Sequence, residues 1–226
     1  MKSIATFLAV LALSPSTFFA AEPVAPAEQL PRLAATEPDD AIATFRLKEG
    51  FRIELAAAEP QVVDPVSMAF DPNGRLYPVE RIGYPERRAG KRGGVRLLED
   101  TNGDGRYDKA TVYAKGLAWP TADLCRDGGV FVIVTPDLLY FRDTDGDGVA
   151  DQRRVVFTGF GKERARLNMQ GLPNSLRRGL DNRIHGATSG SGAVLTRPDD
   201  NSFAPLRLNG RDFSFDPVKL DLRPES

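Results

Sequence analysis

The amino-acid sequence predicts an all-β chain in which short antiparallel hairpins repeat along the length. Three observations carry this. Two aspartate-rich stretches, Asp100-Thr-Asn-Gly-Asp-Gly-Arg-Tyr-Asp108 and Asp143-Thr-Asp-Gly-Asp-Gly-Val-Ala-Asp151, share one pattern and begin 43 positions apart (143 − 100). Each is flanked by short runs of branched and aromatic residues, the ordinary strand signal. A second element, a turn opening a short strand, recurs as Asp71-Pro-Asn-Gly-Arg-Leu-Tyr77, Asp127-Gly-Gly-Val-Phe-Val132 and Asp181-Asn-Arg-Ile-His-Gly186. A period of roughly 40–45 residues with about four strands per unit is the pattern of a β-propeller blade. The expectation is an open, partial β-propeller of about three to four blades, with both loops at hairpin tips.

In chain order, Met1-Lys2 and the apolar run Ile4–Leu13 look like a secretory signal peptide. Cleavage is expected near Ala20, giving a signal over 1–20. The run is too short to span a bilayer, and no Cys follows that would carry a lipid anchor. Residues 21–42, rich in Ala, Pro and Glu without periodicity, read as a flexible lead-in. The strand domain is expected over 43–226. Pro78 interrupts the Leu76-to-Glu80 run and, lacking a backbone donor, predicts an edge or a bulge there. Strands are expected before the loops at Val95–Glu99 and Leu138–Arg142, and after them at Ala110–Leu117 and Arg154–Phe160. The product expected is exported: periplasmic, cell-surface or secreted.

The loops have a chemical reading. Calcium takes six to eight oxygens at about 2.3–2.6 Å, so carboxylates at positions 1, 3 and 5 of a tight loop converge on one point. Glycine at position 6 permits the turn. An EF-hand would place a bidentate Glu at position 12, where this chain has Thr111 and Arg154. The Asp at position 9 closes a shorter loop instead. The expected ligands are Asp100, Asn102, Asp104 and Asp108 for one calcium, and Asp143, Asp145, Asp147 and Asp151 for a second. The carbonyls of Arg106 and Val149 complete the shells. Turn chemistry alone explains one Asp-Gly-rich loop; its duplication is what favours a metal.

Composition excludes some classes. The chain has 30 basic and 31 acidic residues, and a near-neutral balance argues against a nucleic-acid partner. The cluster Arg87-Arg88 with Lys91-Arg92 reads as a solvated loop. Cys125 is the one cysteine, so no disulfide framework or thiolate metal site is expected, and it should pack as a small apolar residue.

These residues also carry a resemblance. Gly94–Lys109, Gly116-Leu-Ala-Trp-Pro-Thr121, Gly128-Gly-Val-Phe-Val132, Arg154–Gly161, Gly179–Gly186 and Gly210-Arg-Asp-Phe-Ser-Phe-Asp-Pro217 resemble the membrane-bound dehydrogenases of planctomycetes and verrucomicrobia. The N-terminal part of that family is a propeller similar to soluble quinoprotein glucose and sorbosone dehydrogenases. The resemblance covers about Ala43 to the C-terminus. It implies oxidation of a sugar or related alcohol, with pyrroloquinoline quinone as a cofactor. It also implies further blades and a cytochrome domain with a Cys-x-x-Cys-His haem c site beyond these residues. Against the family pattern, Pro78 stands where Val is usual and Arg178 where Trp is usual, and the sequence reads as a truncated copy.

His185 is the candidate general base, since histidine titrates near neutral pH. It is expected to face the central channel near Asn168 and Asn174. Filling a strand position is the plainer explanation of His185, and loop caps explain the asparagines equally well. Three functional classes stand: a redox enzyme, a carbohydrate- or protein-binding module, and an inactive fragment.

Overall fold

A computed structural model describes residues 34–84, 90–161, 167–208 and 210–225, and the compact unit begins at Pro38. Its first turn is helical. Pro38–Ala41 forms a single α-turn with Asp39 and Asp40 in it, and Ile42–Thr44 continues as a 3-10 turn. The lead-in expected to be irregular to residue 42 is therefore ordered here, for local reasons: proline is pre-set for a helix start, and early carboxylates suit the helix N-terminus. The expected signal over 1–20, and Arg87 and Arg88, lie outside the described residues. Lys91 and Arg92 are exposed, as a solvated loop requires.

The rest is strand. The first sheet is a meander of β1 (Pro65–Phe70), β2 (Leu76–Glu80), β3 (Gly93–Glu99) and β4 (Lys109–Leu117). The second starts the same way, with β5 (Ala122–Arg126), β6 (Gly129–Val134), β7 (Asp137–Arg142) and β8 (Gln152–Phe160). The third begins with β9 (Asn174–Arg178) and β10 (Ile184–Ala187). The chain then leaves it for the hairpin β11 (Ala193–Thr196) and β12 (Leu206–Arg207), which adds to the outer edge of the second sheet. It returns as β13 (Phe213–Phe215) and β14 (Leu222–Pro224), giving the order β14-β13-β10-β9. Every pairing within the three sheets is antiparallel. The first strands lie side by side, β1 against β5 and β5 against β9.

Side-chain alternation explains the layering. In β6 the run Val130-Phe-Val-Ile-Val134 is buried throughout. Val130, Val132 and Val134 meet Tyr77, Val79, Val95, Leu97 and Tyr113 of the first sheet. Phe131 and Ile133 turn to the opposite face, where Leu176, Ile184, Phe213 and Phe215 of the third sheet lie. A strand covered on both faces needs no polar alternation, which is why this segment reads as continuously apolar. Edge-to-face aromatic pairs reinforce both cores: Tyr77 on Tyr113 at 5.0 Å, and Phe215 against Phe131 at 5.4 Å and Phe157 at 5.5 Å.

Pro78 corrects an expectation. The strand β2 is interior, paired to β1 on one side and β3 on the other. Pairing with β3 runs through Leu76, Val79 and Glu80 and passes over Tyr77 and Pro78, so the missing donor costs a rung rather than making an edge. Cys125 packs with the first core as expected, and burial pushes its thiol up to about 12.

Candidate functional site

Both aspartate loops join the third strand of a sheet to its fourth, β3 to β4 and β7 to β8. They are internally wired alike. The position-1 carboxylates receive two backbone N–H groups each. Asp100 takes those of Gly103 at 2.7 Å and Gly105 at 2.9 Å, and Asp143 takes those of Gly146 at 2.7 Å and Gly148 at 2.9 Å. Position 3 accepts from the N–H of position 5: Asn102 from Asp104 at 3.0 Å, Asp145 from Asp147 at 3.3 Å. Position 5 accepts from position 7: Asp104 from Arg106 at 2.8 Å, Asp147 from Val149 at 2.7 Å. Positions 4 and 6 lie at left-handed φ, 77° and 89° in the first loop and 84° and 87° in the second. Glycine adopts this region without the Cβ penalty.

These N–H bonds set the electrostatics. The N–H of Gly105, then that of Gly103, holds the exposed Asp100 carboxyl below the usual range. For Asp143, burial pushes upward, but the N–H groups of Gly146 and Gly148 outweigh it and the carboxyl is lowered. Ionised oxygens already turned inward are what a hard cation needs. Among the described residues one group of three carboxylates brings its oxygens within 4.8 Å of one another, Asp143, Asp145 and Asp147. In the first loop Asn102 replaces one of the three acids.

Position 9, the fourth expected ligand of each loop, is bonded within the loop as well. Asp108 accepts from Thr101 through its N–H at 2.9 Å and its hydroxyl at 2.7 Å. Asp151 accepts in the same way from the N–H and hydroxyl of Thr144, and it stands outside the converging group. A threonine at position 2 thus takes the fourth carboxylate and ties the loop ends together. The Thr101 hydroxyl is the main reason the Asp108 carboxyl lies below its ordinary range. At position 7, Val149 is exposed, and the Arg106 guanidinium pairs with Asp39 at 3.0 Å.

At position 8 each loop reaches a neighbouring segment. The Ala150 N–H donates to the Tyr113 carbonyl in β4, at 2.9 Å. The Tyr107 N–H donates to the Ala56 carbonyl at 2.8 Å. Residues 51–58 thus meet the first loop through one backbone bond, as β4 meets the second.

A cavity of about 820 Å³ opens where β1, β5 and β9 meet, lined by Met68, Phe70, Tyr77, Asp123, Cys125 and Leu176 among others. Four arginines border it. Arg75 is held by Asp71 at 2.7 Å, Arg126 by Asp127 at 3.0 Å, and Arg178 by the Asn182 side-chain oxygen Oδ1 at 3.0 Å. Arg177 has no such partner among the described residues. Asp123 was not singled out by its sequence context, yet it is the most perturbed carboxyl here. It is 4% exposed; Oδ1 accepts from the Ser67 hydroxyl and Oδ2 has no partner among the described residues. Burial pushes its pKa up to about 7.

His185 lies on β10, paired across to Arg177 on β9. Its Nε2 sits 3.1 and 3.2 Å from the two Asp181 oxygens, and this contact is the first cause of the lowered Asp181 pKa. It lines a separate depression of about 340 Å³ with Arg177, Asp212 and Glu225. Asn168 and Asn174 do not line that depression. Asn168 Oδ1 accepts from the Gln170 N–H, and the Asn174 amide donates to the Leu172 carbonyl, so both cap local turns.

No curated protein matches the chain. Residues 37–226 match the family described as Domain of unknown function (DUF7133). That match takes in all three sheets, both aspartate loops and the cavity between the first strands, and the chain belongs to that family.

Proposed function

We propose that the chain is an exported, calcium-binding β-propeller segment of dehydrogenase type, acting within a protein that oxidises a sugar or related alcohol. The observation that carries the calcium reading is the duplicated loop: the same side-chain-to-backbone hydrogen bonds recur at the same hairpin position of two consecutive sheets. Three antiparallel sheets with their first strands side by side support a propeller-like row. The hard-oxygen donors suit calcium: Asp143, Asp145 and Asp147 would hold one ion, and Asp100, Asn102 and Asp104 a second. Bound calcium would neutralise the clustered charge and fix each loop against its neighbour, Tyr113 or Ala56. It supplies structural rigidity, not chemistry.

The redox part rests on the family resemblance. The chain's single cysteine cannot make a Cys-x-x-Cys-His haem attachment. Three of the four cavity arginines are already engaged, so these residues alone do not form a site for a tricarboxylate quinone. His185, with Nε2 on Asp181, leaves Nδ1 as the nitrogen able to accept a substrate proton. A non-catalytic binding module is the second reading, favoured by the cavity with its buried carboxyl and unengaged Arg177.

Calorimetric titration of the metal-stripped protein tests the calcium reading. Two binding events are expected, and Asp147→Ala should remove one while leaving the loop at Asp100 intact. Absence of heat at millimolar calcium would overturn it.

A further inference from the structure

The end of the sheets opposite the aspartate loops holds a smaller pocket. There β2 runs out at Glu80, which pairs with Gly94 at the start of β3, whereas Leu76 and Leu98 pair at the loop end. Arg81 comes next, its guanidinium over the Tyr84 ring at 3.9 Å from the centroid and 6.0 Å from that of Trp119. Arg81 and Tyr84 line a space of about 310 Å³ with Thr121, Gln170 and Leu172, which belong to the connections leading into β5 and β9. The Thr121 hydroxyl donates to the Pro173 carbonyl and ties those two connections together. Three consecutive segments thus form the walls, and the pocket needs no sheet beyond the third. Arg81 is anomalous in it. Its Nε is buried without an acceptor among the described residues, and the bond from Nη2 to the Met169 carbonyl is long, at 3.3 Å. The adjacent Glu80 is taken by Arg96, at 3.1 Å through each oxygen, and by the Val63 N–H. No carboxylate lines the pocket among the described residues. Burial is the largest influence on Arg81 and pushes its pKa down, as expected of a charge removed from water without a counter-charge. Trp119 is held at φ 58°, a left-handed value rare for a bulky residue, and such outliers cluster at ligand sites.

We propose that this pocket binds the carboxylate of a single sugar acid of the uronate class, with Arg81 holding the anion. A planar carboxylate accepts two parallel bonds from one guanidinium. By drawing Arg81 off its long contact with Met169, it would also give Nε the acceptor that it lacks. Tyr84, 39% exposed, leaves ring surface on which the C–H face of a pyranose packs. Only the backbone N–H of Gln170 is engaged, by Asn168, so its side-chain amide offers a donor and an acceptor to sugar hydroxyls. The volume lies at the small end of ligand pockets and suits one sugar unit rather than a chain. Binding here stands apart from any oxidation of the ligand and from the aspartate loops at the other end of the sheets.

Calorimetric titration of the chain with D-glucuronate at constant calcium tests this, with circular dichroism confirming that each variant is folded. Saturable binding of one ligand per chain is expected. Arg81→Lys keeps the charge but loses the fork, and Arg81→Gln loses both; each should weaken binding about tenfold or more. Gln170→Ala should weaken glucuronate and leave acetate unchanged, and it keeps the test open should an Arg81 variant not fold. Acetate and D-glucose should each bind more weakly than glucuronate, because each carries only part of the recognised chemistry. No saturable binding at millimolar glucuronate would overturn the proposal, as would an affinity unchanged in Arg81→Gln. Acetate or inorganic phosphate binding as tightly as glucuronate would reduce the pocket to a plain anion site and overturn the sugar assignment. Calcium binding is read by its own titration, so neither result decides the other.

Discussion

Asp123→Asn isolates the one carboxyl that the fold holds at a disadvantage. Asp123, on β5, is buried against β1, with one oxygen on Ser67 and the other without a partner among the described residues. Its pKa rises from 3.8 to about 7 because burial disfavours the charged form. A carboxyl raised in the folded state costs nothing when both states are protonated, below pH of about 4. The cost then grows as pH rises towards 7 and is constant above it. At about 1.4 kcal/mol per pH unit, the full penalty is at most about 4 kcal/mol. Asparagine keeps the shape and an oxygen for Ser67 but cannot ionise. The variant should therefore be more stable than the parent by up to about 4 kcal/mol at pH 8. Near pH 4 the advantage should vanish or reverse by about 1 kcal/mol, since the amide buries a donor of its own. Urea denaturation of both proteins, in calcium, at pH 4, 6 and 8 reads this directly, and the difference cancels every other titrating group. A stability difference that does not change with pH would refute the reasoning.

The loop glycines should respond unequally. Gly146→Ala and Gly148→Ala both force a side chain into left-handed φ, at a cost of roughly 1–2 kcal/mol each. Only at Gly148 would the new Cβ also press on Leu97, at 3.3 Å, and Thr111, at 3.5 Å. Gly148→Ala should unfold at the lower urea concentration, and equal midpoints would mean that the second loop is not seated on the first sheet. Calcium affinity should be level from pH 7 to about 5 and fall below about 4, because carboxylates must be ionised to bind. Asp100 and Asp143 are held below the usual range, so they stay ionised above it and lose their contribution only as pH falls through their lowered values. Titrations at three pH values check this; affinity already lost at pH 6 would point to a histidine site instead.

Much of the central region was legible because its punctuation is chemical. The Asp-Gly loops fix the ends of β3, β4, β7 and β8 to within two residues, and the turns at Asp71, Asp127 and Asp181 open β2, β6 and β10 as expected. What escaped is tertiary. The β11–β12 hairpin interrupts the third sheet to join the second, and its own sequence does not announce the change of sheet. The local trace is Gly159, at φ 120°, where a Cβ would collide with the Val194 carbonyl, so glycine there admits the incoming strand. Proline at 78 read as an edge or a bulge because a missing donor counts against an interior strand, although one skipped rung proved tolerable. In the loops, spacing picked out the acids but not the bonds that Thr101 and Thr144 make to the position-9 carboxylates. Asp123 left no signal, since its character comes from burial between two sheets.

The most direct measurement is a crystal grown in calcium, with an anomalous difference map calculated at a wavelength where calcium scatters anomalously. The account predicts two peaks, one among Asp143, Asp145 and Asp147 and one among Asp100, Asn102 and Asp104, with Asp151 and Asp108 still bonded to Thr144 and Thr101. A map without density in either loop at saturating calcium would contradict it.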